Sequence, residues 1–349
     1  MISTTPTISV RNLSKTFKVY KKEAGVIGSL KSLFYRKFEQ VKAVSGVSFD
    51  IEQGELIGFI GPNGAGKTTT LKMLSGLLYP SSGSVSVLGY KPWERKESFQ
   101  KQFALVMGQK NQLWWDLPPI ETFRLNKEIY EIPTEQYENT LNKLVKLLEV
   151  EDILKIQVRK LSLGQRMKCE LIAALLHSPK VLFLDEPTIG LDVVMQKVIR
   201  DFLKEYNKEF KATIILTSHY MGDVKELCDR VIMIDKGTLL FDGRMSEIMD
   251  KYAEHKILSV ILSKKVDIKE LEKVGVVREY NYPSATIFVP RDQAAKQAAY
   301  MLQNIPVADV NIEEPPIEAI IRRLFQETHV KPDTDTNTDK DNEHISQSA

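Results

Sequence analysis

The chain has 349 residues, 43% of them hydrophobic and 27% charged, which excludes a disordered or fibrous protein and suits one large domain with a smaller one. Its formal net charge of +2 is unevenly spread, because residues 332–349 hold five acidic residues and one lysine; the remainder carries roughly +6, too little to point to nucleic acid by itself. Two cysteines, Cys169 and Cys228, give neither a disulfide framework nor paired metal-ligand spacing, as expected in a reducing cytosol.

The N-terminal stretch has no apolar segment of the signal-peptide kind. No run approaches the roughly 18–20 apolar residues that span a bilayer, so membrane association is expected only through a partner or a surface helix. Ile8–Val10 and Val47–Ile51 alternate apolar and polar residues, as half-buried strands do. Between them Lys18–Lys42 carries seven basic and two acidic residues. Val26, Ile27, Leu30, Leu33, Phe34 and Phe38 fall near helical spacing there, which predicts a basic amphipathic helix.

Leu56–Ile60 is a short apolar run ended by Gly61, the pattern of a strand buried on both faces. Val181–Leu184, Thr213–Leu216 and Val231–Ile234 read as further strands. Helical segments at Lys67–Leu77, Thr134–Glu149 and Ser162–His177 separate them, so the first part is α/β with a largely parallel sheet. Past Lys256 the order becomes strand Ile257–Leu262, helix Ile268–Val274, strand Thr286–Val289, helix Asp292–Asn304 and strand Val307–Ile312. A last helix, Ile317–Glu327, carries Ile317, Ile320, Ile321, Leu324 and Phe325 on one face. The acidic tail beyond it lacks apolar periodicity and is expected to be disordered.

Gly61-Pro62-Asn63-Gly64-Ala65-Gly66-Lys67-Thr68 fits G-x-x-x-x-G-K-[ST], following a predicted strand and opening a helix. Glycines let backbone N–H groups close around phosphate oxygens where side chains would block approach. The helix N-terminus adds about half a positive charge directed at the anion. Lys67 is placed to reach the β- and γ-phosphates, the Thr68 hydroxyl to bind Mg²⁺, and Thr69 follows in the first turn. Asp185, at the C-terminal end of the apolar run Val181–Leu184, is the candidate partner for the metal. Glu186 next to it is the candidate to accept a proton from attacking water.

Between these motifs lies Leu161-Ser162-Leu163-Gly164-Gln165, and after them Gly190-Leu191-Asp192 and Thr217-Ser218-His219. In this order and spacing the motifs resemble the ATP-binding cassette (ABC) ATPases, from about Ile8 to Met249. The resemblance implies an α/β P-loop NTPase core with a helical subdomain, which the predicted C-terminal α+β domain follows. It divides the chain into an ATP-binding domain at 1–250, an accessory domain at 256–328 and a tail at 329–349. The Lys18–Lys42 insertion and a helical subdomain at about 113–178 fall inside the first of these.

The resemblance further implies that two cassettes, identical or paralogous, pair head to tail around ATP and Mg²⁺. Ser162, Gly164 and Gln165 of one copy would then meet the γ-phosphate held by Gly61–Thr69 of the other, helped by a helix N-terminus, with Asp192 crossing the same interface. Without a dimer Ser162 is simply a good helix cap, and the two roles are compatible. The family usually has two glycines where this chain has Leu163-Gly164. Gln109, with Gln112 as a rival, takes the place of the glutamine that touches Mg²⁺ and water. His219 takes that of the switch histidine holding Glu186. Phe17, with Tyr20 as the alternative, stands for the ring that stacks on adenine.

Combined with the insertion and the appended domain, Leu-Ser-Leu-Gly-Gln resembles the ATPases of ABC-2-type exporters. Integral-membrane permease subunits are then the expected partners, with the chain peripheral on the cytoplasmic face of the membrane and no nucleic acid involved. Trp114 and Trp115 become either contacts for a permease or core of the helical subdomain. The insertion becomes a helix against lipid or permease, or one packed on its own domain. The rival readings are a soluble ABC ATPase acting on ribosomes or DNA, an import ATPase, and a regulatory nucleotide-binding module without turnover. Glu186 and His219 argue against the last.

Overall fold

The computed structural model describes residues 5–20, 38–108, 110–218 and 220–330. Gln109, His219, most of the predicted basic helix and the acidic tail lie outside that set. The chain divides into two compact units that part after Lys251.

The first unit opens with two long strands, β1 (Ile8–Tyr20) and β2 (Phe38–Ile51), followed by β3 (Leu56–Ile60) and α1 (Lys67–Leu74). Next come β4 (Ser82–Val87), the short α2 (Glu97–Gln100) and β5 (Phe103–Met107). A helical stretch follows, with α3 (Pro119–Ile129), α4 (Thr134–Leu148) and α5 (Leu163–Leu175). The chain then alternates through β6 (Val181–Asp185), α6 (Val193–Phe210), β7 (Thr213–Thr217), α7 (Met221–Leu227), β8 (Arg230–Asp235), β9 (Thr238–Arg244) and α8 (Met245–Tyr252).

Two sheets result. A six-stranded sheet runs in the order β5-β6-β7-β3-β8-β9, parallel except for the β8–β9 pair. Every residue of β6 and β7 is buried, which is why these strands read as unbroken apolar runs rather than alternating ones. An antiparallel sheet, β2-β1-β4, accompanies it. Ile8, Val10, Leu13, Phe49 and Ile51 of that sheet share one core with Ile57, Phe59, Phe183 and Ile232 of the parallel sheet and with Leu71 and Leu74 of α1. This shared core carries β3 and β6, from whose C-terminal ends the Gly61–Thr68 turn and the Asp185-Glu186 pair follow.

The predicted basic helix needs correction at its edges. Lys18 pairs with Gln40, Val19 with Glu39 and Tyr20 with Phe38, so both ends of the insertion are strand. Phe38, counted on the apolar helical face, is instead a strand residue left 59% exposed. Thr16–Tyr20 and Phe38–Lys42 are rich in aromatic and β-branched residues, and pairing across β1 and β2 carries that preference beyond the core.

The second unit contains β10 (His255–Leu262), α9 (Ile268–Glu272), β11 (Val276–Asn281), β12 (Ser284–Pro290), α10 (Ala294–Asn304), β13 (Val307–Glu313) and α11 (Ile317–Val330). Its sheet is antiparallel in the order β11-β12-β10-β13, the β-α-β-β-α-β arrangement of a split β-α-β unit. Leu258, Val260, Leu262, Ile287 and Val289 form its core with Leu271, Ala294, Ala298 and Met301 of the helices. Strand β11 was not predicted, and helix α9 stops before Val274. Gly275 then lets the chain pass close to β12, since a Cβ there would sit 2.4 Å from the Phe288 carbonyl oxygen.

Candidate active site

The turn Gly61–Gly66 leaves the buried strand β3 and enters α1 through Gly66, whose φ of 106° lies in the left-handed region that glycine adopts at no steric cost. A cleft of about 590 Å³ opens over this turn, lined by Ala43, Asn63, Gly64–Thr69, Glu186 and Ile189. Lys67 is only 5% exposed, and its ammonium donates to the carbonyl oxygens of Gly61 (2.7 Å) and Pro62 (3.0 Å). Burial pulls its pKa below the usual lysine value, while Glu186 and Asp185 pull the other way. The result is a positive charge held against the loop by local carbonyls and two nearby carboxylates.

Asp185 is the pivot of the acidic side. Its Oδ2 accepts from the Thr68 hydroxyl at 2.8 Å and its Oδ1 from the Thr217 hydroxyl at 2.7 Å. A buried carboxylate with both oxygens engaged is fixed in direction. Glu186 follows with φ 57°, an uncommon conformation for a non-glycine residue that persists only where its surroundings impose it. The Glu186 N–H donates to Thr217 Oγ1 (3.0 Å) and to the Thr217 carbonyl (3.1 Å), and those bonds supply the constraint. Gly108 closes the arrangement from β5: its N–H donates to the Asp185 carbonyl at 2.8 Å. A Cβ on Gly108 would fall 2.1 Å from the Glu186 carbonyl oxygen.

The signature turn forms a second cluster. Ser162 caps α5 in a reciprocal box: its hydroxyl accepts from the Gln165 N–H at 3.2 Å, and the Ser162 N–H donates to Gln165 Oε1 at 3.0 Å. Asp192 caps α6 by accepting from the Met195 N–H at 2.8 Å. The two caps adjoin. A Cβ on Gly164 would meet Met195 Cγ at 2.7 Å, and one on Gly190 would meet Leu163 Cδ2 at 3.1 Å. The leucine that replaces the usual first glycine is therefore accommodated against the bare Gly190.

The structure thus brings Asn63–Thr69 and Glu186 to one cleft, with Gly61, Pro62 and Asp185 in direct contact with its Lys67 and Thr68. Ser162, Gly164, Gln165 and Asp192 do not line that cleft; they form their own exposed-to-half-buried cluster. Phe17 does not line it either. It pairs with Val41 across β1 and β2, two residues from the lining residue Ala43, with the Lys15 ammonium 5.3 Å from its ring centroid. Gln109 and His219 fall outside the described residues. Gln112 is occupied: its side-chain amide donates to the Leu105 carbonyl at 2.6 Å. Sequence reasoning missed Thr217, whose only signal was a hydroxyl ending an apolar strand just before Ser218-His219.

Among the described residues no group of three His, Cys, Asp or Glu side chains is placed to hold a metal. Beside the cleft the Asp185 carboxylate and the Thr68 hydroxyl meet at 2.8 Å, hard oxygens of the kind that suit Mg²⁺ when substrate phosphates complete its shell. No helix among the described residues is long and apolar enough to cross a membrane.

The ABC transporter family pattern matches residues 44–189, and that of the EvrA-like ABC transporter C-terminal domain matches residues 254–313. The chain is 32% identical over 233 residues to the ABC transporter ATP-binding protein NatA of Bacillus subtilis, covering 67% of this chain and 94% of that one. It is 34% identical over 207 residues to the Nod factor export ATP-binding protein I of Cupriavidus metallidurans, covering 59% and 68%. Among solved structures, the dimeric post-hydrolysis state of the ATP-binding cassette MJ0796 bound to ADP and Pi superposes with a TM-score of 0.56. Identity there is 22%, and the match covers 68% of this chain and 98% of that one, a likeness of fold. With the phosphate loop, its acidic partners and the signature turn in place on this fold, the chain belongs to the ATP-binding proteins of ABC transporters and is an ATP hydrolase that powers one.

Proposed function

We propose that this chain drives an ABC-2-type exporter from the cytoplasmic face of the membrane, as one of two cassettes that close head to tail on ATP. The observation that carries the catalytic reading is Asp185 held between Thr68 and Thr217, with Glu186 fixed beside it at the cleft. In this reading the loop N–H groups, the α1 N-terminus and Lys67 bind the phosphates. Thr68, Asp185 and Gln109 would hold Mg²⁺, which would supply positive charge against the phosphates. Glu186 takes the proton of the attacking water, and His219 holds that carboxylate. Ser162, Gly164, Gln165 and Asp192 arrive from the second cassette, and Phe17 stacks on adenine. Hydrolysis then requires closure, so chemistry is tied to motion.

Support for a permease partner comes from the surface. A groove of mixed character, with Leu77, Leu105 and Ile129 beside Glu97, Lys101 and Asn126, lies between the sheet edge and the helical stretch. In the loop that follows Gln109, Trp114 and Trp115 are 58% and 48% exposed rather than packed in the core. Large exposed indoles of this kind are typical interface anchors. The exporter assignment rests on the relative named for Nod factor export; the C-terminal unit matches a domain of ABC transporters.

Glu186→Gln tests the chemistry. It is expected to keep MgATP binding, to lower phosphate release by roughly 10²-fold or more, and to accumulate a dimer visible by size-exclusion chromatography with ATP. Turnover near the wild-type rate would reject Glu186 as the base. Copurification from membranes tests the setting: hydrophobic subunits should accompany the chain, and ribosomes or DNA in their place would reject the exporter.

A further inference from the structure

A further carboxylate, Asp223, does not line the cleft and is buried more deeply than Asp185 or Glu186. Asp223, in the first turn of α7, is 1% exposed. Its Oδ2 accepts from the Thr188 hydroxyl at 2.6 Å and the Ser218 hydroxyl at 2.9 Å, and its Oδ1 accepts from the Arg200 guanidinium at 2.8 Å. Thr188 and Ser218 are themselves buried, at 2% and 3% exposure. Arg200 is held from its other edge by Glu226, at 2.7 Å.

The three donors come from three separate segments. Thr188 lies two residues after Glu186, Ser218 immediately precedes His219, and Arg200 projects from α6, the helix that Asp192 caps. A carboxylate out of water is tolerated only while its lone pairs are filled, so a shift of any one segment leaves the acid unsatisfied unless the others follow. Apolar residues of similar volume often stabilise such a junction as well as a buried ionic cluster does. What the cluster adds is a fixed register between the segments, with direction set by hydrogen bonds.

We propose that Asp223 is a positioning residue for ATP hydrolysis: it locks the turn after Glu186, the strand end before His219 and helix α6 into one unit, so that closure sensed at Asp192 sets the geometry around Glu186. The proposal rests on the roles given above to Glu186, His219 and Asp192, and it adds the element that makes them act together.

The test compares Asp223→Ala and Asp223→Asn with Thr188→Val and Ser218→Ala in the full chain, reading kcat, the affinity for a non-hydrolysable ATP analogue, and thermal unfolding. Asp223→Ala is expected to lower kcat by about 10- to 100-fold, the scale of an ångström-sized misplacement, with analogue affinity within about two-fold of wild type, because no ligand contact is removed. Asp223→Asn should recover much of the loss: its oxygen still accepts from Arg200, and the hydroxyls can turn to accept from its amide. Thr188→Val and Ser218→Ala should each lower kcat with affinity unchanged. Their double variant should lose less than the product of the single effects, as members of one unit do. Folded single-hydroxyl variants with wild-type kcat would overturn the proposal. So would failure of those two variants to fold, since the cluster would then serve the fold alone. The wild-type control separates the readings: turnover in wild type with no response to the cluster rejects Asp223, whereas no turnover in wild type rejects the hydrolytic site itself.

Discussion

Glu186 combines a left-handed backbone with a place beside the buried Asp185, and its conformation is imposed from two sides. Thr217 anchors its N–H on one side, while Gly108 gives its carbonyl room on the other. Gly108→Ala would push a methyl group into a carbonyl 2.1 Å away, where neither backbone has slack. Overpacking of this kind destabilises by about 1–3 kcal/mol, and the accompanying shift of Glu186 should lower kcat by roughly 10-fold or more. Steady-state ATPase assays with urea unfolding check both parts; an alanine variant of wild-type activity would mean that Glu186 is not held from this side. Residues such as Lys67, Thr68, Asp185 and Glu186 were legible in the sequence because their chemistry depends on neighbours a few positions away. Thr217 was not: it meets Asp185 through the pairing of β6 with β7, a register that no local pattern contains.

At the scale of elements, α5 joins the signature turn to the rest of the first unit. Ser162 and Gln165 begin it with a capping box. Midway, the buried Glu170 accepts the backbone N–H groups of Gln112 (2.9 Å) and Leu113 (3.2 Å), so the loop after Gln109 is strapped to the helix that carries the signature. Just beyond its C-terminus His177 stacks flat on Tyr130, with centroids 4.0 Å apart, and bonds through Nε2 to the Phe103 carbonyl. That carbonyl can only accept, so Nε2 carries the proton and the buried Nδ1 has no partner among the described residues. Burial accordingly holds the His177 pKa below the ordinary histidine value, with the Phe103 bond opposing in part. A histidine depressed in this way binds its proton more readily when unfolded, so stability rises with pH and is lost on acidification below about 6.5. His177→Asn should flatten that loss in urea unfolding measured between pH 7.5 and 5; an unchanged slope would show that His177 does not set it. Helices and buried strands of this unit were readable from apolar periodicity. The edge strand β11 was not, because Arg278 and Glu279 leave it mostly exposed and without clean alternation. The outer halves of β1 and β2 were hidden for a related reason: their partner is each other, across the inserted segment, a pairing that no local pattern contains.

For the whole molecule, the separation of the two clusters matters most. Each unit has a core of its own, and every residue assigned to nucleotide chemistry belongs to the first. Within it the phosphate loop lies in one cleft, while Ser162 and Asp192 sit at the exposed starts of α5 and α6, where Val193 and Val194 are 76% and 74% exposed. If two copies supply the two halves of each site, mutants broken in different halves must complement. Lys67→Ala and Ser162→Ala should each be nearly inactive alone. In a mixed pair one site would join the altered loop to the altered signature, while the other would join an intact loop to an intact signature. Random pairing of equal amounts then restores roughly a quarter of the wild-type ATPase rate, one intact site in each mixed two-fold pair. A chain that completes its own site as a monomer would give no recovery on mixing at any concentration. The same titration also separates pairing from folding: recovery that fades on dilution while circular dichroism stays constant places the loss in the encounter of two chains and not in either chain alone.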